Sequence, residues 1–560
     1  MPVYGMTRYE YDEKNDPENY TVFLADLAHG APPWKPLFFI ESWGRWCYRS
    51  IQKLAEQLSL PTTKGWDVRY IDGYPYLAVI ETTEEEARER EPLFREKIRP
   101  YIEDFDAIWE QRKTEIMDIY AKLKSDYNLY KYEDITGLSN VDLLDIFDDY
   151  LQVSRKQWDI HMELLVPAYY LFGLFDQICS ELLGFGNSDA RFSKLMTGYD
   201  SMVFRFNKEI QALAKRAKEL GLTEVFQNAD DSEAVITGLE KSDNGKKWLG
   251  EYRDFLEVHG WRCERMLDWA TPNWIEKPAL GIPAIKIAIA TGGSREMDER
   301  RQRSIKEREE TEKEVLSGIT ANQKAWFSAL MKSAQRACYW SEDHTYYLDL
   351  YCHAIGRWIT KEIGNRFEKA GVIDESEDVY FLIADEIEKA LIPMGKVKLH
   401  KYVIERKMEW EGYNKLTPSP HYGDIDRVQE VVKKDPVITV ATATPVVRED
   451  IKADLYSAAS APGITEGIAR VIISEDRLGE LKKGEILVAS GISALWTPSF
   501  EMISGIVTDG GGALSHAVIV AREYGIPAVV GCLEATAKIK TGDRVKVDGD
   551  LGLVYILEKA

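Results

Sequence analysis

Between residues 416 and 462 the chain carries Pro418, Pro420, Pro436, Pro445 and Pro462, separated largely by Ala, Thr and Ser. Such a stretch reads as a linker candidate, extended and semi-rigid where proline is dense, so separate bodies on either side of it are expected. From about 96 to 415 the pattern is helical: Ile98, Ile102, Phe105, Trp109, Ile116, Ile119 and Leu123 recur at three- and four-residue steps with charge between them. Ser139-x-x-Asp142 ahead of Leu143, Leu144, Ile146 and Phe147 marks a helix start. The charged run Glu296–Glu314 reads as a solvated or connecting helix. From 463 to 560 short apolar strands alternate with one helix. The strands are Ala469–Ile473, Glu485–Ala489, Gly505–Thr508, Ala528–Val530, Arg544–Val547 and Leu553–Leu557. Residues 1–95 are mixed, rich in Trp, Tyr and Pro, with a strand-like Tyr76–Ile80. The expectation is a multidomain α and α/β protein: a mixed N-terminal region, a large helical domain, a hinge over 416–462 and a C-terminal β/α/β domain.

The 560 residues leave room for three to five domains at about 100–200 residues each. A formal net charge of −22 disfavours a nucleic-acid backbone binder, which needs a cationic field. The six cysteines show no CxxC spacing, so neither a disulfide scaffold nor a metal module is expected. The N-terminus lacks a basic-then-apolar leader. The apolar run Leu164–Leu174 falls short of the ~20 residues a membrane span needs. A cytoplasmic protein without membrane or metal is the expectation.

One segment carries chemistry: Thr508-Asp-Gly-Gly-Gly-Ala-Leu-Ser-His516, running on to Gly531. A strand ends at Thr508, three glycines follow, and a helix begins near Ser515. Gly510, Gly511 and Gly512 let bare N–H groups approach an anion. Ser515 suits an N-cap. His516 falls in the first turn, where the helix dipole favours a neutral, nucleophilic imidazole and would stabilise a phosphoryl group on it. Spacing alone leaves open a second reading, a capping or packing histidine in a glycine-rich turn.

The run GGALSHAVIVAREYGIPAVVG, preceded by APGITEGIARVI and followed by GDRVKVDGDLGLVYIL, closely resembles the swivelling phosphohistidine domain. That domain is shared by phosphoenolpyruvate synthase, pyruvate phosphate dikinase, enzyme I of the sugar phosphotransferase system and rifampicin phosphotransferase. The resemblance implies that His516 is the phosphocarrier, with Gly510, Gly511, Gly512 and Ser515 around the phosphoryl group. Where the dikinases carry a threonine subject to regulatory phosphorylation, this chain has Leu514, expected to lie beside the turn. In the helical region His259-Gly-Trp-Arg262 with Pro272-Asn-Trp274 is similar to the family's GHR…PxW pattern. Asp343-His-Thr-Tyr-Tyr-Leu-Asp349, Asp378–Leu382, Glu386 and Glu405-Arg406 match further stations.

The family's ATP-grasp domain finds no room in residues 1–95, and no pyruvate-binding barrel is expected after residue 560. The architecture resembles the larger subunit of phenylphosphate synthase, with which Asp26–Pro36 and Asp72–Tyr76 are consistent. That resemblance implies a phosphotransferase subunit: a separate ATP-grasp partner binds ATP and Mg²⁺, His516 takes the phosphoryl group, and a small, phenolic hydroxyl accepts it. His259, Arg262, Asp343, His344 and Tyr346 are the candidates for the acceptor site, as base, aromatic wall or phosphoryl clamp. A self-contained rifampicin phosphotransferase- or dikinase-like enzyme and a non-catalytic scaffold are the alternatives.

Overall fold

The computed structural model describes residues 22–25, 33–416 apart from 188, 230, 264–267 and 292–293, then 418–419, 421–423, 427, 430–431, 437 and 440. It also describes 451–560 apart from 458–459, 474 and 493. Most of Asp26–Pro36 therefore lies outside the described residues, as does 441–450 of the expected hinge.

A four-stranded antiparallel sheet, in the order β2-β3-β1-β4, is built from β1 (Val22–Ala25), β2 (Thr63–Ile71), β3 (Tyr74–Glu81) and β4 (His421–Gly423). The β2–β3 hairpin turns at Asp72-Gly73, both at positive φ (51° and 82°), the backbone that an Asp-Gly pair adopts most readily. The strand β4 corrects the expected hinge. Its backbone completes the N-terminal sheet by pairing with β1, and Val431, Val437 and Val440 are buried in the helical core. The segment thus begins as part of the first body. The boundary drawn at residue 95 also moves, because it falls inside the helix α1 (Glu84–Asp126).

That helix starts at a capping box between Thr83 and Glu86, and breaks at Asp104 (φ −157°, ψ 79°) after Pro92 and Pro100. The helix α2 (Asn140–Leu183) starts at the expected Ser139/Asp142 box. The helices α3 (Met202–Glu219), α4 (Asp243–His259) and the charged α5 (Ser294–Ser317) follow. Then α6 (Ala321–His344) runs through a widened turn, Thr345–Leu350, into α7 (Tyr351–Lys369). The helices α1, α2, α6 and α7 bury one core containing Trp109, Trp158 and Trp340. No helix among the described residues is long and apolar enough to cross a membrane.

The C-terminal module is a seven-stranded mixed sheet of order β5-β11-β10-β6-β7-β8-β9. It comprises β5 (Leu455–Tyr456), β6 (Ile464–Val471), β7 (Ile486–Ala489), β8 (Gly505–Thr508), β9 (Ala528–Val529), β10 (Arg544–Asp548) and β11 (Leu553–Glu558). Strands β6 to β9 are parallel. The helix α8 (His516–Tyr524) follows β8, placing His516 beyond the carboxyl ends of the parallel strands, where open α/β sheets bind ligands.

Candidate active site

The loop between β8 and α8 is fixed before any ligand arrives. Thr508 Oγ1 donates to Gly510 O (2.6 Å), and the Asp509 carboxylate accepts from Thr536 N and Oγ1 (2.9 and 2.5 Å). Gly511 has φ +118°, and a Cβ there would sit 3.1 Å from Ser515 Oγ. Glycine is therefore required at that position. Arg522 closes the loop from behind, donating to Ala513 O (2.9 Å) and Ser460 O (2.8 Å).

Two details differ from expectation. The Gly510 N–H donates to Ser490 O at 2.9 Å, so the amides without a partner among the described residues are those of Gly511 and Gly512. Ser515 occupies the N-cap with extended backbone but its side chain does not cap. Its Oγ is buried with no hydrogen-bond partner among the described residues, a cost that an incoming anion would relieve.

His516 is gripped at both nitrogens. Glu342 Oε2 lies 2.7 Å from Nδ1, and Thr497 Oγ1 lies 3.0 Å from Nε2. A carboxylate only accepts, so Nδ1 carries the proton and Nε2 keeps the lone pair, to which the Thr497 hydroxyl donates. The nitrogen left with a lone pair is thus Nε2. Glu342 ends α6 in the helical body, so this bond crosses between bodies. It is joined there by Ser341 Oγ donating to Leu514 O (2.9 Å), Ala513 N to Val440 O (3.1 Å) and Gly198 N to Glu523 (2.7 Å). Leu514 does not lie idle beside the turn: its side chain is 2% exposed and packs in the helical core.

His516 opens on a cavity of about 110 Å³ between the two bodies. Trp43, Leu165, Tyr169, Val203, Tyr346 and Leu350 supply apolar wall; Arg262, His161, His344 and Asp349 supply polar groups; Gly510, Gly511, Gly512 and Ser515 close the side nearest His516. Of the sequence candidates, Arg262, His344 and Tyr346 therefore share one cavity with His516. Arg262 is 2% exposed and its Nε has no hydrogen-bond partner among the described residues. Burial pulls its guanidinium down to about 10, which leaves it cationic at neutral pH. His259 stands behind it, Nδ1 accepting from Arg262 Nη1 at 3.2 Å. Burial, then Arg262, pushes His259 down to about 3, so it is a neutral prop outside the cavity. Tyr346 donates to Val258 O (2.5 Å), and burial pushes its phenol up to about 12; it offers a ring. Asp343 turns away, accepting from Met202 N (2.9 Å) at the start of α3 and facing Arg336 Nη1 (3.2 Å).

Sequence reading missed the cavity floor. Asp349 Oδ1 accepts from His161 Nδ1 and from Gln157 Nε2, both at 2.9 Å. Its Oδ2 lies 3.7 Å from His344 Nε2. Burial pushes this carboxyl up, but His161, His344 and His353 outweigh it and hold the group below the ordinary carboxylate range. The donor atoms of His161, His344 and Asp349 lie within 4.8 Å of one another, close enough to share a cation; as found, hydrogen bonds occupy the carboxylate instead. On a regular helix, residues five apart turn through roughly 140° and face away from each other. The widened turn Thr345–Leu350 brings His344 and Asp349 to one side.

A family model described as the PEP-utilising enzyme, mobile domain, matches residues 481–552, which hold His516 and its loop. The C-terminal module is a PEP-utilising enzyme mobile domain. A second model, the rifampicin phosphotransferase fourth domain, matches residues 161–342 in the helical body. The chain is 26% identical over 411 residues to the uncharacterized phosphotransferase YvkC of Bacillus subtilis, covering 72% of this chain and 48% of that protein. It is 30% identical over 327 residues to rifampicin phosphotransferase of the same species, covering 57% of this chain and 36% of the other. A 177-residue match at 37% identity, 31% of this chain and 20% of the other, is to a probable phosphoenolpyruvate synthase of Pyrococcus horikoshii. The chain spans less than half the length of each of these relatives. The mobile domain therefore sits docked on a rifampicin phosphotransferase-like helical domain, with His516 at the seam.

Proposed function

We propose that this chain is a phosphotransferase component in which His516 carries a phosphoryl group into the shared cavity and delivers it to a small phenolic hydroxyl. The observation that carries the reading is that His516 and the buried, incompletely paired Arg262 open onto one aromatic cavity. The donor is ATP with Mg²⁺, held by an ATP-grasp partner subunit; the mobile domain reaches it by swinging away from the helical body. In the docked state Arg262, the Gly511 and Gly512 amides and Ser515 Oγ receive the phosphoryl oxygens, in a low-dielectric setting where such donors count most. Aromatic walls hold the acceptor. At about 110 Å³ the docked cavity is smaller than the ~150 Å³ apolar cavity that accepts benzene, which favours a one-ring acceptor over a macrocyclic antibiotic. A phenol, with pKa about 10 like tyrosine, is also the easier hydroxyl to activate.

The test is a screen of hydroxylated aromatics with ATP, Mg²⁺ and the chain, with and without a co-purified ATP-grasp protein. Phosphorylation of one-ring phenols that needs both proteins is the expected result. Tight ATP binding and self-phosphorylation by the single chain would overturn the partner assignment. Preference for a macrocyclic acceptor would overturn the phenolic one.

A further inference from the structure

The transfer needs a group to take the acceptor's proton, and most of the cavity's titratable side chains are otherwise engaged. Glu342 is bound to His516 Nδ1, Tyr346 donates to Val258 O, and Arg262 is a cation. His344 stacks on Trp340 (centroids 4.4 Å apart) with Nδ1 3.3 Å from that residue's carbonyl oxygen. His161 differs. Its Nδ1 faces Asp349 Oδ1 at 2.9 Å, and Gln157 clamps the same oxygen at 2.9 Å. The carboxylate can only accept, so in the neutral imidazole the proton sits on Nδ1 and the lone pair on Nε2. No described residue hydrogen-bonds that Nε2, and the ring lines the cavity that His516 enters.

We propose that His161, oriented by Asp349, is the general base that deprotonates the acceptor hydroxyl. The proposal rests on the phosphoryl-transfer reading above. The acceptor oxygen forms its bond to phosphorus while the phosphorus–Nε2 bond of phospho-His516 breaks, returning its electron pair to Nε2. The acceptor's proton passes to His161 Nε2, and the imidazolium so formed is stabilised by Asp349 until it loses the proton to water. Asp349 is a positioning residue. It fixes the tautomer and does not itself take the proton.

The experiment loads the full chain at His516 with potassium phosphoramidate, with His516→Ala as the blank, and follows loss of phosphate to phenol or to 4-nitrophenol. The latter is already largely ionised near neutral pH and needs no base. His161→Asn retains an N–H toward Asp349 but has no Nε2. It should slow transfer to phenol by about 10²- to 10⁴-fold and leave transfer to 4-nitrophenolate within a few-fold. Asp349→Asn should give the same selectivity, with ¹⁵N shifts showing His161 leaving the Nδ1–H tautomer. Equal loss for both acceptors, or no loss, overturns the assignment, as does a stoichiometric transition metal by mass spectrometry that disappears in both variants. If the wild-type chain passes phosphate to neither acceptor, the phosphotransferase reading falls and the base assignment with it. Wild-type transfer that survives His161→Asn sinks the base assignment alone.

Discussion

Glu342 Oε2 lies 2.7 Å from His516 Nδ1, joining the last turn of a helical-domain helix to the first residue of the mobile domain's helix. The contact exists only while the two bodies are docked, so on the proposed reading it serves delivery of the phosphoryl group rather than its capture. Glu342→Gln removes the charge and keeps the shape. Transfer from phospho-His516 to the acceptor should fall by about 10²- to 10⁴-fold, while loading of His516 stays close to wild type. Single-turnover measurement of the two half-reactions checks this; equal loss in both would show that Glu342 serves the carrier throughout its cycle.

Arg262 should count in delivery for a different reason. Its guanidinium is buried and Nε has no hydrogen-bond partner among the described residues. Arg262→Met should reduce acceptor phosphorylation by about 10²- to 10³-fold, the usual cost of losing a donor aimed at developing charge. Arg262→Lys should recover only part, because the planar fork is lost. Full recovery by lysine would mean that only the charge matters.

Much of this was readable in advance where the physics is local. The strand Gly505–Thr508, the helix opening at His516 and the Ser139/Asp142 helix start follow from apolar runs, glycine punctuation and cap chemistry. Arg262, His344 and Tyr346 were reached another way, through the resemblance of His259–Arg262 and Asp343–Asp349 to the family's helical-domain patterns. Glu342, Thr497 and His161 were missed, since only tertiary packing brings three distant segments together. The pair His344 and Asp349 is hidden by its spacing of five, which a 3.6-residue period scores as opposite faces. The commitment of the Gly510 amide to Ser490 depends on a neighbouring loop, as no glycine count can show.

Leu514 is the plainest revision. Read as lying beside the turn, Leu514→Thr would be nearly neutral for phosphoryl transfer; its burial bears on stability instead. Buried in the helical core at 2% exposure, it should cost about 2 kcal/mol, through lost apolar contact and a hydroxyl without a partner. A lower thermal midpoint and faster amide exchange around Ser341, which bonds the Leu514 carbonyl, are the expected readouts.

Glu523 gives the docked form a pH dependence. Burial raises its carboxyl to about 7, although it accepts from Gly198 N across the seam. A raised acid binds more protons folded than unfolded, so stability declines as pH rises from the ordinary carboxyl value to about 7. Glu523→Gln should flatten the decline. Melting curves of both proteins from pH 5 to pH 8, at about equal ionic strength, test it; parallel curves would contradict it.

The most direct test of the central claim isolates the chain carrying labelled phosphate on His516, then adds a one-ring phenol and nothing else. Label should leave the His516 peptide and appear in equal amount as the aryl phosphate, with none formed by the His516→Ala chain. Aryl phosphate formed at the wild-type rate by His516→Ala, or label that stays on His516 whatever hydroxylated aromatic is offered, would contradict the account.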